Sequence, residues 1–268
     1  MDKIVFITGV SSGFGKSIAE LLSKKGYKVY GTSRQDIDHD ARIEIIKMDV
    51  SDQISVNKAI SHVIQKAGRI DVLINNAGMG ISGAIEETSA NEAALQMNTN
   101  FYGTFYTIQA VLPFMRKQGN GTIINVSSIG GIMGLPFQGF YSASKFAVEG
   151  MSEALRMELK QFNIQVILID PGDFRTHFTA NRKIVAKSGA NSEYDTQFRK
   201  SLAIIEKDEN GGLQPEKLAK KIFTILNKKK RRPRYVISSF EQKLAVLLKY
   251  IMPDAWFFKI LESHYGIK

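Results

Sequence analysis

Short apolar runs alternate with longer amphipathic segments along most of this chain, and this alternation limits the folds open to it. The runs are rich in β-branched residues, as in strands that are buried on both faces of a sheet. They lie at 3–8, 27–33, 42–50, 70–78, 121–128, 164–172 and 234–238, and helical patterns occupy 16–26, 52–68, 89–119, 140–162 and 215–229. This order predicts an α/β fold, a doubly wound parallel sheet in three α/β/α layers.

The length and the pattern predict one domain over 1–240 followed by a helical extension at 241–268. The 268 residues and 44% apolar content suffice for one substantial core. The pattern weakens between 173 and 214, and a segment of this kind is typical of a lid over a binding site. The chain has no cysteine and no clustered metal ligands, so we expect neither disulfide nor metal.

The net charge of +10 raises anionic partners as candidates. The densest basic stretch is local, "KKKRRPR" at 228–234, and no nucleic-acid-binding motif accompanies it, so we expect no nucleic-acid partner. No apolar run of 18 residues and no signal-peptide pattern is visible, which predicts a cytoplasmic protein.

Three glycines follow the first strand in "TGVSSGFG", namely Gly9, Gly13 and Gly15. They permit a tight turn at a helix N-terminus, where backbone N–H groups favour a phosphate. Their spacing differs from the standard G-x-G-x-x-G dinucleotide fingerprint. Taken alone, a plain glycine turn explains them equally well.

Tyr141 and Lys145 are four residues apart in a predicted helix and therefore share a face. To exchange protons near pH 7, the pKa of a tyrosine must fall by roughly 3, or about 4 kcal/mol. A cation about 4 Å away supplies about that much, so we expect Lys145 to lower the pKa of Tyr141. Ser128, at the end of the preceding strand, can hold a substrate oxygen. The alternatives are a core tyrosine with a snorkelling lysine, a turn serine, or Ser127 in place of Ser128.

Six motifs, in chain order "TGVSSGFG", "MDV", "NNAG", "NVSS", "YSASK" and "PGDFRT", resemble the short-chain dehydrogenase/reductase family over about residues 3–240. The resemblance implies a Rossmann fold, a nicotinamide dinucleotide and hydride transfer at a carbonyl or hydroxyl carbon. It implies catalytic roles for Asn100, Ser128, Tyr141 and Lys145, with Asn100 holding a water for a proton relay. The candidate cofactor residues are Gly9, Ser11, Ser12, Gly13, Phe14, Gly15, Arg34, Asp49, Val50, Asn76, Ala77, Gly78, Tyr141, Lys145, Pro171, Gly172 and Thr176.

The end of the second strand predicts which cofactor is preferred. An NAD enzyme usually carries an acid there, whereas this chain has Ser33 followed by Arg34. A guanidinium can bind the 2′-phosphate of NADP with two hydrogen bonds, and Ser11 and Ser12 can add hydroxyl donors. We therefore expect NADP(H) rather than NAD(H), although Asp36 could still serve as the acid.

The stretch between Ser128 and Tyr141 is apolar, and in the family this segment borders the substrate. It makes Met133, Leu135 and Phe137 candidate substrate contacts, together with Ser128 and Tyr141, and it resembles the 17β-hydroxysteroid and retinol dehydrogenase branch. We expect an apolar substrate such as a steroid, a retinoid, a long-chain ketone or a keto-sphingoid base. The alternative is that these residues only pack the loop against the lid.

The extension places apolar residues at helical spacing, interrupted by Pro253. Packing on the same domain is the favoured interpretation, and a peripheral membrane contact is the alternative. The resemblance also implies a homodimer or homotetramer, with 99–117 and 140–162 as the interface. The rival to an enzyme is a dinucleotide-binding scaffold or redox sensor without turnover.

Overall fold

The computed structural model describes residues 3–38 and 40–267, so the predictions for residues 1, 2, 39 and 268 lie outside the described residues. The strands are β1 (Ile4–Ile7), β2 (Lys28–Ser33), β3 (Ile43–Lys47), β4 (Val72–Asn75), β5 (Ile81–Ser82), β6 (Gly121–Val126), β7 (Ile164–Pro171), β8 (Lys183–Ile184) and β9 (Arg234–Ile237). The helices are α1 (Gly13–Lys24), α2 (Gln53–Ala67), α3 (Ala90–Met97), α4 (Gly103–Gln118), α5 (Gly139–Glu158), α6 (His177–Ala180), α7 (Asp195–Gly211), α8 (Pro215–Leu226), α9 (Phe240–Ile251) and α10 (Asp254–His264).

The main sheet has seven strands in the order β3-β2-β1-β4-β6-β7-β9, and every pairing is parallel. The doubly wound sheet predicted from the sequence is therefore confirmed. The strand order reverses between β1 and β4. In open parallel sheets, ligands bind outside the carboxyl ends of the strands at this point.

Each strand of the sheet centre contributes to two cores. Val5 and Ile7 pack with α1 and α8 on one face, whereas Ile4 and Phe6 pack with α2 and α4 on the other. Because side chains alternate across a strand, burial on both faces needs apolar residues at nearly every position. This explains the continuous apolar runs of the sequence.

The segment 173–214 is more regular than its sequence pattern indicated. It contains α6, the short strand β8 paired with β5, and the 17-residue helix α7. Phe198, Ser201 and Ile205 are the buried residues of α7, and only three such positions in a mostly polar helix give a weak periodic signal.

The C-terminal extension forms α9 and α10, which Met252 and Pro253 separate. Val246 and Phe257 are buried in a third cluster with Ile129, Ile132 and Met133. One face of the extension thus packs on the domain. No helix among residues 3–38 and 40–267 is long and apolar enough to cross a membrane.

Candidate active site

A cavity of about 610 Å³ opens at the carboxyl ends of the central strands. Its walls come from the segments that follow β1, β2, β3, β4, β6 and β7, and α6 and α7 of the lid close it. Because parallel strands all end at the same edge, motifs far apart in the sequence meet in this one space.

The glycine turn after β1 is tightly packed against the turn after β4. Gly9 has a φ of 72°, and a Cβ built on it would lie 2.9 Å from the Cα of Ala77. Asn76 Nδ2 donates to the carbonyl oxygens of Thr8 and Gly9, each at 2.9 Å. Ser12 occupies the N-cap position of α1, but its side chain forms no hydrogen bond to the helix. The cradle therefore leaves its N–H groups and a hydroxyl for an anionic ligand.

The residues present fit a dinucleotide along this cradle. Of the candidate cofactor residues, all except Gly15 line the cavity. Gly15 lies beneath the cradle, where a Cβ would come 2.1 Å from the carbonyl oxygen of Gly9. It therefore shapes the turn rather than facing a ligand.

The end of β2 presents Arg34 to the cavity. Arg34 and Gln35 line the wall beside Ser33, whereas the acidic alternative Asp36 does not. Ser33 Oγ accepts a hydrogen bond from Gln35 N at 3.1 Å, which shapes this turn. Arg34 therefore brings a positive charge to this wall, where Asp49 from the end of β3 also lines the cavity.

Ser128, Tyr141 and Lys145 all line the cavity beyond the glycine turn, and each is at most 9% exposed. Ser128 Oγ accepts from Gly130 N at 3.0 Å, and Lys145 Nζ donates to the carbonyl oxygen of Val126 at 2.9 Å. Lys145 Nζ lies 5.9 Å from the centroid of the Tyr141 ring. The fold thus brings the three side chains together at the end of β6 and the start of α5.

Burial raises the pKa of Tyr141 to about 12 in this structure, against the lowering expected from Lys145. The hydroxyl of Ser128 opposes the rise, and the negative charge of Glu209 adds to it. Phe178 from the lid covers the phenol, with the ring centroids 5.6 Å apart. Since the Lys145 ammonium is directed at Val126, the expectation of a lowered pKa is wrong for this state, and the phenol carries its proton.

Lys145 is buried, and burial lowers its pKa to about 8 although Glu149 and Asp170 oppose the change. Asp170 is fully buried, and burial together with the neighbouring Glu149 carboxylate raises the pKa of Asp170 well above its usual value. Arg234 Nη2 lies 2.5 Å from Glu149 Oε2. A buried acidic pair bound by an arginine therefore lies behind the lysine.

Asn100 does not line the cavity. It lies in a π-helical turn at Asn98–Tyr102, where its Oδ1 accepts from Met79 N at 2.9 Å. Its Nδ2 donates to the Met79 carbonyl oxygen and to Ser144 Oγ, each at 3.0 Å. These contacts brace the turn after β4 against α5. The Asn100 side chain, which the family resemblance implies would hold a water, is therefore already hydrogen-bonded to protein atoms.

Of the three apolar substrate candidates, Leu135 alone lines the cavity. Met133 packs in the third cluster beside Val246 and Phe257, and Phe137 stacks on Phe198 of α7 at 5.4 Å. For Met133 and Phe137 the structure favours the alternative that they pack the loop against the lid and the extension.

Other cavity residues were not identified from the sequence: Asp173, Phe174, Phe178, Ile205, Asp208, Glu209 and Tyr265. They come from the lid and the extension. The spacing of Phe198 and Ile205 is the one signal for α7. Asp173 and Phe174 stand inside the "PGDFRT" motif, and no motif marks the remaining residues. Within the described part of the chain, no group of three His, Cys, Asp or Glu residues could hold a metal ion.

Comparison with known proteins places this geometry in a family. A family model described as short chain dehydrogenase matches residues 3–185. The chain is 48% identical over 266 residues to the 3-ketodihydrosphingosine reductase of Bacteroides thetaiotaomicron, covering 99% of each protein. It is 32% identical to the NADPH-dependent 3-dehydrocapnine reductase of Ornithobacterium rhinotracheale, covering 95% of this chain and 94% of the relative. A crystal structure of a short-chain dehydrogenase from Streptomyces avermitilis superposes with a TM-score of 0.85 at 29% identity, covering 100% of both chains.

Proposed function

Since the chain belongs to the short-chain dehydrogenase family, and is thus an oxidoreductase acting at carbonyl or hydroxyl carbons, we propose that it uses NADPH to reduce the ketone of a long-chain amino base. The observation that carries the proposal is the meeting of Ser128, Tyr141 and Lys145 in one cavity with the glycine cradle. A scaffold or sensor that performs no turnover has no use for these three side chains beside its nucleotide.

The bound nicotinamide would supply the hydride, and the protein residues would handle the oxygen and the proton. Ser128 Oγ donates a hydrogen bond to the substrate carbonyl oxygen and orients it. The protonated phenol of Tyr141, with its pKa raised, donates its proton to that oxygen as it gains negative charge. A charged Lys145 stabilises the phenolate that remains.

Arg34 supports NADPH as the preferred cofactor. Its guanidinium lines the cavity at the end of β2, where the 2′-phosphate of NADP would lie, and the acidic alternative that follows it, Asp36, is not part of the cavity wall. The relative from Ornithobacterium rhinotracheale is named as NADPH-dependent.

The walls near Tyr141 support an apolar substrate with a positive charge close to its ketone. Leu135, Phe178 and Ile205 provide apolar surface. Glu209 and Asp173 add carboxyl groups near the phenol and raise the pKa of Tyr141 through their charge. Arg182, which is paired with Glu209, lowers that pKa, so among the described residues Asp173 is the carboxyl group of the two without an arginine partner. A 2-amino-3-ketone such as 3-ketodihydrosphingosine, the substrate in the name of a relative that is 48% identical, has an ammonium beside the carbonyl. Among the substrates expected from the sequence, the keto-sphingoid base fits these walls best.

The experiment follows NADPH oxidation with 3-ketodihydrosphingosine and with an alkyl ketone of equal length that lacks the amino group. We expect faster turnover of the amino ketone and a loss of about 10²- to 10⁴-fold in Tyr141→Phe. Tyr30→Phe is the matched control, because Tyr30 is also buried but does not line the cavity. Its hydroxyl has no hydrogen-bond partner within the described residues, so its removal breaks no hydrogen bond. Equal turnover in Tyr141→Phe and Tyr30→Phe would overturn the mechanism, and NADPH binding without any turnover would favour the sensor.

The α4 and α5 surfaces support a homodimer or homotetramer. Phe105, Phe146 and Met157 on these helices are 37%, 45% and 72% exposed. Contiguous exposed apolar side chains are typical of surfaces that pack against another subunit, and the rings of Phe105 and Tyr106 on α4 lie 5.8 Å apart. Light scattering on Phe146→Ser, with the unaltered protein as reference, tests the interface. An unchanged mass would argue against it.

A further inference from the structure

Helix α9 is apolar on two opposite faces. Val246 is buried against the domain, whereas Phe240, Leu244, Leu247 and Ile251 are between 44% and 77% exposed. The intervals of four, three and four residues align these four side chains along one stripe. A helix at the surface of a globular protein normally presents polar residues on its outer face. The stripe therefore needs a partner outside the domain.

Helix α10 continues this apolar surface. Trp256 is 64% exposed and Ile260 is 45% exposed, one helical turn apart, while Phe257 holds the helix on the domain. We call Phe240, Leu244, Leu247, Ile251, Trp256 and Ile260 the outer tail surface. It combines aliphatic side chains with a tryptophan, the residue type that prefers the interface between lipid and water.

A basic loop borders this surface. Arg234 Nη1 lies 3.3 Å from the Tyr250 hydroxyl, so the loop that leads into β9 lies beside the end of α9. Lys228, Lys229 and Lys230 in this loop are exposed, and none of them forms an ion pair within the described residues. Residues 228–262 contain nine Lys and Arg against three Asp and Glu. The surroundings of the apolar stripe are therefore cationic.

The extension is also part of the cavity. Tyr265, directly after α10, lines its wall. Gln242 in α9 donates to Asp173 at 2.5 Å and accepts from the Asp173 backbone N–H at 3.1 Å. A partner that holds the outer tail surface would thus be held close to the cavity.

We propose that the outer tail surface and the basic loop dock the protein on an anionic lipid bilayer. Lysines around an apolar stripe with a tryptophan match the interfacial binding of amphipathic helices to anionic lipids. A second copy of the chain is a poorer occupant. In a symmetric contact the same patch meets itself, and each cationic border would face another with few acids to neutralise it.

Flotation of the full-length protein with vesicles of equal parts phosphatidylcholine and phosphatidylglycerol tests the proposal, with pure phosphatidylcholine vesicles in parallel. No cofactor or substrate is needed, so the outcome is independent of the proposed function. Ile251→Ser is the apolar variant. Ile54→Ser is its matched control, because both isoleucines are helical and 66% exposed but Ile54 lies in α2. Lys228→Gln combined with Lys229→Gln and Lys230→Gln is the charge variant.

We expect binding to the anionic vesicles, about tenfold weaker in Ile251→Ser and unchanged in Ile54→Ser. The triple lysine variant should bind roughly a hundredfold more weakly. Added salt should also weaken the binding of the unaltered protein to the anionic vesicles. Absence of binding, or equal loss in both isoleucine variants, would overturn the proposal. Dissociation of an oligomer by Ile251→Ser without vesicle binding would assign the surface to a second copy and overturn it as well.

Discussion

Replacing Gly15 by alanine tests whether the cradle has the tight geometry that the structure shows. Gly15 is in the first turn of α1, and a Cβ there would lie 2.1 Å from the Gly9 carbonyl oxygen and 2.5 Å from Asn76 Nδ2. Both atoms belong to the hydrogen bond that joins the two turns, at 2.9 Å. The methyl group therefore displaces a backbone carbonyl of the cradle together with the Asn76 amide that is bonded to it.

The expected cost follows from three contributions. Alanine gains at most about 1 kcal/mol over glycine from helix propensity. Overpacking costs about 1–3 kcal/mol, and losing a hydrogen bond costs about 1 kcal/mol. The net loss in the free energy of unfolding is about 1–3 kcal/mol. We expect NADPH affinity to fall as well, because the shifted backbone N–H groups no longer face the phosphates together.

Gly150→Ala is the matched control for this substitution. Gly150 is an exposed position inside α5, and a Cβ there meets nothing within 4 Å. The same helix propensity should therefore stabilise this variant, by up to about 1 kcal/mol. Urea unfolding gives both stabilities, and quenching of protein fluorescence by NADPH gives the affinities. If Gly15→Ala were as stable as Gly150→Ala and bound NADPH normally, the steric reasoning would be refuted.

Three further predictions concern the cofactor, the proton and the extension. Arg34→Ala should weaken NADPH binding by about five- to thirtyfold and leave NADH binding unchanged, since one cation at an exposed site is worth about 1–2 kcal/mol to a phosphate. Equal effects on both cofactors would contradict the assignment. The kcat/KM for ketone reduction should fall as the pH rises through about 8, because Lys145 loses its charge there while Tyr141, with a pKa of about 12, keeps its proton. If kcat/KM began to decline only above pH 10, the conclusion that Lys145 titrates before Tyr141 would be contradicted. Phe257→Ala removes a fully buried ring from the third cluster and should release α9 and α10, measured as lost hydrogen-exchange protection there and tested against Phe258→Ala, which is 45% exposed.

The sequence indicated the layers of the fold because the signals are local. Strands buried on both faces have to be apolar throughout, as in β1 and β4, and a glycine turn has to follow β1 for the chain to enter α1. The same local logic placed Ser128 at the end of a strand and Tyr141 and Lys145 on one helical face. Parallel strands end at one edge, so residues predicted at separate strand ends meet there.

The tertiary structure decided everything that depends on neighbours from distant parts of the chain. Two apolar residues two positions apart differ in their access to the cavity: Met133 is buried in the third cluster, whereas Leu135 packs against that cluster and also lines the cavity. The pKa of Tyr141 rises because Phe178 and the lid exclude water from it, and no spacing around Tyr141 contains that information. The sequence by itself determined which side chains could do chemistry, since backbone geometry repeats every two or 3.6 residues. Burial and electric field come from the whole packed structure, so their effects on those side chains were decided only in the fold.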